Sequence, residues 1–187
     1  MPKDIALAPN ILNSELVLKG MVWDVVRERF EYLDGELTRE FVRHPGAVAV
    51  LAVNHQDEVL LINQYRHPVR SRLWEIPAGL RDIEGENLAV TAQRELLEET
   101  GYRAQKLEPL IAFHTTPGGN DETIHVYLAE SLEFIGHNIE LEGEERDLET
   151  QWVPLAECVK SVLKSDMKSP SLVVAVLALW AKRSIEI

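Results

Sequence analysis

Hydrophobic and polar residues alternate in short, strand-like runs over most of this chain, and three stretches switch to helical spacing. Residues 1–13 contain Pro2, Pro9 and Asn10 and hold no sustained period, so they read as a loosely ordered arm. Residues 15–19 read as a short strand, and 21–33, rich in Val, Trp, Phe and Tyr, as a long one. Asp34-Gly35 is a two-residue turn signal, and 36–43 return as the second arm of a β-hairpin. Such a hairpin is marginal in water and needs a surface to pack on, in its own domain or in a second subunit. Pro45-Gly46 interrupts the chain. The apolar run 47–53 reads as a buried strand, 54–57 as a turn, 58–65 as the next strand, and 73–78 as a short strand leading into Gly79.

Leu88, Ala92 and Leu96 stand at i, i+4 and i+8, which predicts a helix over 88–100 with these residues facing the core. Asn87 suits its N-cap and Gly101 its left-handed stop. Residues 104–114 and 123–130 read as strands around the turn-rich loop 115–122, TTPGGNDE. Residues 139–149 are acidic and turn-like, and 150–153 form a short strand. Pro154 opens a helix through Leu163, because proline is tolerated in a first helical turn. Ser169-Pro170 starts a last helix that runs to about Ser184. Strands mixed with few helices, without regular βαβ alternation, predict an α+β or layered α/β/α arrangement.

Composition narrows the function. At 187 residues and 45% apolar, the chain suits one folded domain over 44–187, with 1–43 as an added arm and hairpin. A net charge of −12 argues against non-specific nucleic-acid binding, which needs a basic surface. It leaves a phosphate substrate open, because a bound divalent metal inverts the local sign. The single cysteine, Cys158, permits no internal disulfide and has no nucleophile partner nearby. The N-terminus lacks a secretory pattern, and the longest apolar stretch, 172–181, is shorter than the ~20 residues a bilayer requires. A cytoplasmic protein without a membrane partner is expected.

The chemistry concentrates on the first helix. Glu95, Glu98 and Glu99 lie on one face, at a cost of roughly 0.2–0.5 kcal/mol per like-charged pair. A cation over that face would relieve the repulsion, and carboxylate oxygens suit hard ions such as Mg²⁺ or Mn²⁺, which usually act on phosphates. The bland alternative is a solvated acidic helix. Arg66, His67, Arg70 and Arg72 form a basic patch just before it, either a solvated loop or a phosphate or carboxylate contact.

The run Arg94-Glu95-Leu96-Leu97-Glu98-Glu99-Thr100-Gly101-Tyr102, with seven residues between Glu86 and Arg94, resembles the Nudix box G-x5-E-x7-R-E-U-x-E-E-x-G-U, where U is a bulky apolar residue. Gly79 departs from it, since six residues rather than five separate it from Glu86. The extra residue falls in a loop, where insertions cost little. The resemblance covers roughly 43–153 and implies a Nudix-like α/β/α sandwich with a mixed β-sheet and an N-terminal β-hairpin extension. It puts Glu95, Glu99, the Ala78 carbonyl and, directly or through water, Glu98 on the metal, Mg²⁺ or Mn²⁺. Arg94 would hold the Glu98 carboxylate, and Gly79, Glu86 and Gly101 would be structural. The activity implied is hydrolysis of a pyrophosphate bond.

Pro117, sixteen residues beyond Gly101, the surrounding TTPGGNDE and the upstream QYRHPVRSRLWEIPAGL resemble the ADP-ribose pyrophosphatase subgroup, especially its bacterial members. That likeness implies cleavage of ADP-ribose to AMP and ribose 5-phosphate, with substrate contacts at Arg43, Arg66, Glu75, Pro117 and Gly118. It also implies a homodimer built on the hairpin and a catalytic base in the acidic loop, where Glu144 is the closest match and Glu145 a near rival. Hydrolysis of another nucleoside diphosphate sugar or dinucleotide is the alternative enzyme. A non-catalytic ADP-ribose-binding module would be expected to lack some of the box glutamates, all of which this chain keeps. His114 and His125 lack metal-ligand spacing and read as strand residues, and Trp74 as core.

Overall fold

The computed structural model describes residues 1–136 and 147–185, which divide into two compact units. One holds Met1–Pro45 and His114–Glu122; the other holds Gly46–Phe113 and the described residues from Thr123 on.

The first unit is a three-stranded antiparallel sheet, in order β1-β2-β3, built from β1 (Ile11–Leu18), β2 (Asp24–Tyr32) and β3 (Gly35–Arg43). The sequence predicts a two-stranded hairpin here and a short strand at 15–19. The third strand starts earlier, at Ile11, where the Glu31 N–H donates to the Asn10 carbonyl at 3.0 Å and the Ser14 hydroxyl reaches Glu28 at 3.1 Å. All eight β1 residues are exposed, so no inward-facing alternation marks the strand. β2 starts at Asp24 rather than residue 21, because the Asp24 carboxylate accepts from Lys19 at 3.0 Å and from the Gly20 N–H at 3.2 Å, closing a loop. The tight turn is Leu33-Asp34, with Leu33 at φ 52°, and Gly35 already pairs with Tyr32. On one face Arg27 bridges Glu40 at 2.7 Å and Glu15 at 3.6 Å, while Val26, in register with Leu16 and Phe41, is buried.

In the second unit β4 (Ala47–Ala52) is the spine. All six residues are buried, because successive side chains enter two different cores. Ala49 and Leu51 join Cys158, Leu172 and Val176 of the helices α2 (Leu155–Leu163) and α3 (Pro170–Ser184). Val48, Val50 and Ala52 meet Ala92 and Leu96 of α1 (Leu88–Thr100). Each fully buried Val or Leu contributes roughly 1.5–3 kcal/mol. This double packing produces the α/β/α layering. β5 (Glu58–Arg66) and β6 (Ser71–Glu75) flank the 3₁₀ turn His67–Val69; β7 (Ala78–Leu80), β8 (Tyr102–His114), β9 (Thr123–Phe134) and β10 (Glu149–Pro154) complete the set. One sheet runs β7-β4-β9-β8, with β4 parallel to β9 and antiparallel to β7; the other runs β10-β5-β6, all antiparallel.

The single strand read over 73–78 is two strands in different sheets. Pro77 has no N–H to continue a ladder, and its carbonyl accepts from Val50 at 2.8 Å instead. The chain changes sheets there and delivers Ala78-Gly79 to α1. Pro154 is the N-cap of α2 rather than a first-turn residue, and β9 runs four residues past the predicted end at Glu130, with Ser131 at φ 55°. Cys158 is buried, and that burial pushes its thiol up to about 11, so it is inert at neutral pH. Trp74 is half-buried against the core. Among the described residues, no helix is long and apolar enough to cross a membrane.

The Asn87 side chain accepts from the Ala89 N–H at 2.9 Å, and Gly101 ends α1 at φ 72°, donating to the Leu97 carbonyl at 2.8 Å. A Cβ on Gly101 would lie 2.8 Å from the Phe134 ring. Gly101→Ala therefore combines left-handed strain with a clash, and urea unfolding should show a loss of about 1–2 kcal/mol or more. Asn87→Ala should cost about 1 kcal/mol.

Candidate active site

Because β7 and α1 both pack on β4, the carboxylate face of α1 meets the backbone of Ala78-Gly79. Glu99, only 4% exposed, accepts the Ala78 N–H at 2.9 Å. Glu95 lies directly on Gly79: an added Cβ there would stand 1.9 Å from its carboxyl carbon and 2.2 and 2.3 Å from its oxygens. Glycine at 79 is thus a matter of space for a carboxylate, since its φ is not left-handed.

Arg94 is the hub of the charges. Its Nη1 donates to Glu95 at 2.6 Å and to Glu98 at 3.2 Å; its Nη2 reaches Glu86 at 3.4 Å and Asp82 at 4.0 Å. Glu86 also accepts from the Thr91 hydroxyl at 2.8 Å, which ties the loop to the helix. The extra residue between Gly79 and Glu86 is taken up in a turn closed by Glu86 N–H to the Ile83 carbonyl at 3.2 Å, with Gly85 at φ 77° in open space. The Thr91 hydrogen bond, with help from Arg94, holds the Glu86 carboxyl below its ordinary range. Burial pushes Glu95 up, with Arg94 opposing and Glu98 adding to the rise. Burial alone would lower Arg94, but Glu95, Glu86 and Glu98 outweigh it and raise it.

Among the described residues, no three His, Cys, Asp or Glu groups converge as a ready-made metal nest. The reason is visible in the pairing: Arg94 engages Glu95 and Glu98, and a main-chain N–H engages Glu99. The donor set nevertheless fits a hard divalent ion. It consists of oxygens on one helix face, and the Glu95 carboxylate occupies a cradle that a methyl group would fill. An ion there would replace the guanidinium as counter-charge to Glu95.

The remaining site residues from the sequence fall in several places. In the second unit Arg66 grips Glu75 in a fork, Nε to Oε1 at 3.1 Å and Nη2 to Oε2 at 2.8 Å, with Gln64 at 3.4 Å; Glu75 is buried. Arg72 donates to Asn63 Oδ1 at 2.7 Å and to the Asp147 carbonyl at 2.9 Å, and pairs with the Asp147 carboxylate. Two of the four basic-patch residues are therefore committed to internal pairs. In the first unit Arg43 lies 3.3 Å from Glu28, and Pro117 and Gly118 are exposed. His125 is a strand residue whose ring burial and the nearby Arg81 hold below its ordinary range. Glu144, like Glu142 and Glu145, lies outside the described residues. Asp82 and the Arg72–Asp147 pair are absent from the sequence reading. Asp82 stands in the inserted loop with no fixed spacing to Arg94, and residues 72 and 147 are brought together only by β5.

Gly79→Ala tests the contact on which this site rests. The added methyl must displace the Glu95 carboxylate, so hydrolytic activity should fall ~10–100-fold, in the range seen when a ligand's support is disturbed. A thermal melt without metal should stay close to wild type, because the site is edge-lying and Glu95 is already costly to bury. Wild-type activity in this variant would show that Glu95 is not held by Gly79 for function.

The NUDIX domain model matches residues 42–172. Over 171 residues the chain is 38% identical to the ADP-ribose pyrophosphatase of Mycobacterium tuberculosis, covering 91% of this chain and 82% of the relative. It is 37% identical over 182 residues to the ADP-ribose pyrophosphatase of Bacillus subtilis, covering 97% of each. A crystal structure of an ADP compounds hydrolase superposes with a TM-score of 0.75 at 26% identity, over 99% of this chain and 100% of that one. With the box residues gathered on α1 and β7 as described, the chain belongs to the NUDIX family and is a Nudix hydrolase.

Proposed function

We propose that this Nudix hydrolase splits ADP-ribose into AMP and ribose 5-phosphate with Mg²⁺ or Mn²⁺. The observation that carries the reading is the Glu95 carboxylate seated on Gly79 with the Glu99 carboxylate on the Ala78 N–H, two hard-oxygen groups of one helix at the same short strand. The two bacterial ADP-ribose pyrophosphatases similar to this chain support the substrate. Glu95, Glu99 and the Ala78 carbonyl would hold the ion, with Glu98 contributing directly or through water. When bound, the ion neutralises phosphate oxygens and lowers the pKa of water. Arg94 orients Glu95 and Glu98. Arg43, Arg66, Glu75, Pro117 and Gly118 are the proposed substrate contacts. Glu144 takes the proton from the attacking water.

Product analysis on a panel of nucleoside diphosphate sugars and dinucleotides with Mg²⁺ or Mn²⁺ tests the reading. AMP and ribose 5-phosphate from ADP-ribose, at the highest kcat/KM of the panel, is the expected result; a faster turnover of another compound would replace the substrate. Glu99→Gln should abolish hydrolysis with an unchanged circular dichroism spectrum. Glu144→Gln should lower kcat by about 10²–10⁴-fold, the contribution of a positioned base. Little loss there would move the base elsewhere.

We also propose a homodimer formed through the β1–β3 sheet. Leu16, Leu18, Met21 and Trp23 are 54%, 58%, 105% and 44% exposed, a clustering of large apolar side chains that a second copy would cover. Light scattering on the full chain should give twice the monomer mass; a monomer at micromolar concentration would refute the assembly.

A further inference from the structure

The loop that carries Pro117 and Gly118 is closed on itself, tied to a strand end, and bare at its tip. The Thr115 hydroxyl donates to the Glu122 carboxylate at 2.7 Å, and the Thr116 carbonyl accepts from the N–H groups of Gly119 at 2.8 Å and Asn120 at 2.9 Å. Two main-chain bonds join the loop to β3: Val42 N–H to the Gly119 carbonyl at 2.9 Å, and Asp121 N–H to the Val42 carbonyl at 3.2 Å. One side-chain bond adds to them, from the His44 N–H to Asp121 Oδ1 at 2.8 Å. Glu122 also faces the His44 ring at 3.5 Å.

Gly118 differs from the glycines that the fold requires. A Cβ built on it meets nothing within 4 Å, and its φ lies outside the left-handed region. Its N–H has no hydrogen-bond partner among the described residues, and residues 116–118 are exposed. Neither packing nor backbone conformation asks for glycine there. What the glycine leaves is an unshielded main-chain donor, suited to an oxygen acceptor on a ligand that approaches closely.

We propose that Asp121 is a positioning residue: its carboxylate docks residues 115–122 on the end of β3 and so fixes the Gly118 N–H for substrate. The inference rests on the reading that Pro117 and Gly118 contact the nucleoside diphosphate sugar. Because two main-chain bonds also hold the loop, removing the carboxylate loosens the tip without releasing it. The consequence belongs in substrate binding rather than in folding or in the chemical step.

The experiment compares Asp121→Ala, Asp121→Asn and Gly118→Val in the full chain, on ADP-ribose or whichever panel compound the wild type cleaves fastest. Asp121→Ala should raise KM about three- to tenfold, the size of one hydrogen bond, and leave kcat within about twofold. Asp121→Asn keeps an oxygen acceptor and should restore most of the KM. Gly118→Val has room for its side chain in the fold, so it should raise KM at an unchanged melting temperature. A raised KM in Gly118→Val with a wild-type KM in Asp121→Ala overturns the role of Asp121 and keeps that of the loop. A wild-type KM in Gly118→Val overturns the loop reading and this inference with it. A drop in both melting temperature and kcat in Asp121→Ala, not rescued by Asn, reduces Asp121 to a structural residue and also overturns the proposal.

Discussion

A carboxylate resting on a bare Cα organises this site. Glu95 is seated on Gly79 with no space for a methyl between them, and that contact demands a particular approach of helix to strand. The approach is set further back in the chain. β4 buries alternate side chains in two cores, so α1 on one side and β7 along its edge are both referred to the same strand. Pro77 then ends one ladder and turns the chain into the other sheet, which brings Ala78-Gly79 under the helix. Movement of any of these parts by one Cβ's width would change how the helix carboxylates meet the Ala78-Gly79 backbone.

The same contact is electrostatically unfavourable, and Arg94 makes it tolerable. A buried carboxylate is costly unless paired, which is why Glu95 is pushed up by burial even with a guanidinium at 2.6 Å. Arg94 serves Glu95, Glu98 and Glu86 at once, and their summed attraction outweighs the burial that would lower it. One guanidinium cannot neutralise that many carboxylates, and the face keeps an excess of negative charge. Such uncompensated repulsion is a local sacrifice of stability of the kind found at functional sites.

Local signals in the sequence specify the helix completely and the strand pairing only in part. Asn87, the 88–92–96 spacing and Gly101 define α1 at both ends, because caps and periodicity are written within a few residues of each other. Glu95, Glu98 and Glu99 are legible for the same reason. β1 is not, since every one of its residues is exposed and its partners on β2 lie from seven to nineteen positions away. The break at Pro77 shows in the sequence as a proline, but the change of sheet depends on where Val50 lies. Arg66 and Glu75 look like free charges in a basic stretch; pairing of β5 with β6 turns them into a fork with a buried acid.

The two units draw on different stretches of the chain. The box residues, from Gly79 to Gly101, come from one continuous segment of the second unit, whereas residues 114–122, inserted between β8 and β9, fold with the N-terminal sheet. Two main-chain bonds to Val42 and the Asp121 and Glu122 carboxylates at His44 hold this loop, and none of these contacts uses Pro117 or Gly118. On the proposed function, a substitution at the loop tip would alter what is bound and leave the bonds of Arg94 to its carboxylates as they are. The reverse also follows: a change in the last residues of β3 reaches the loop through hydrogen bonds while leaving the box intact. On the proposed function, substrate choice would be carried by a loop that holds none of the box residues, and the same box helix would be compatible with different nucleoside diphosphates.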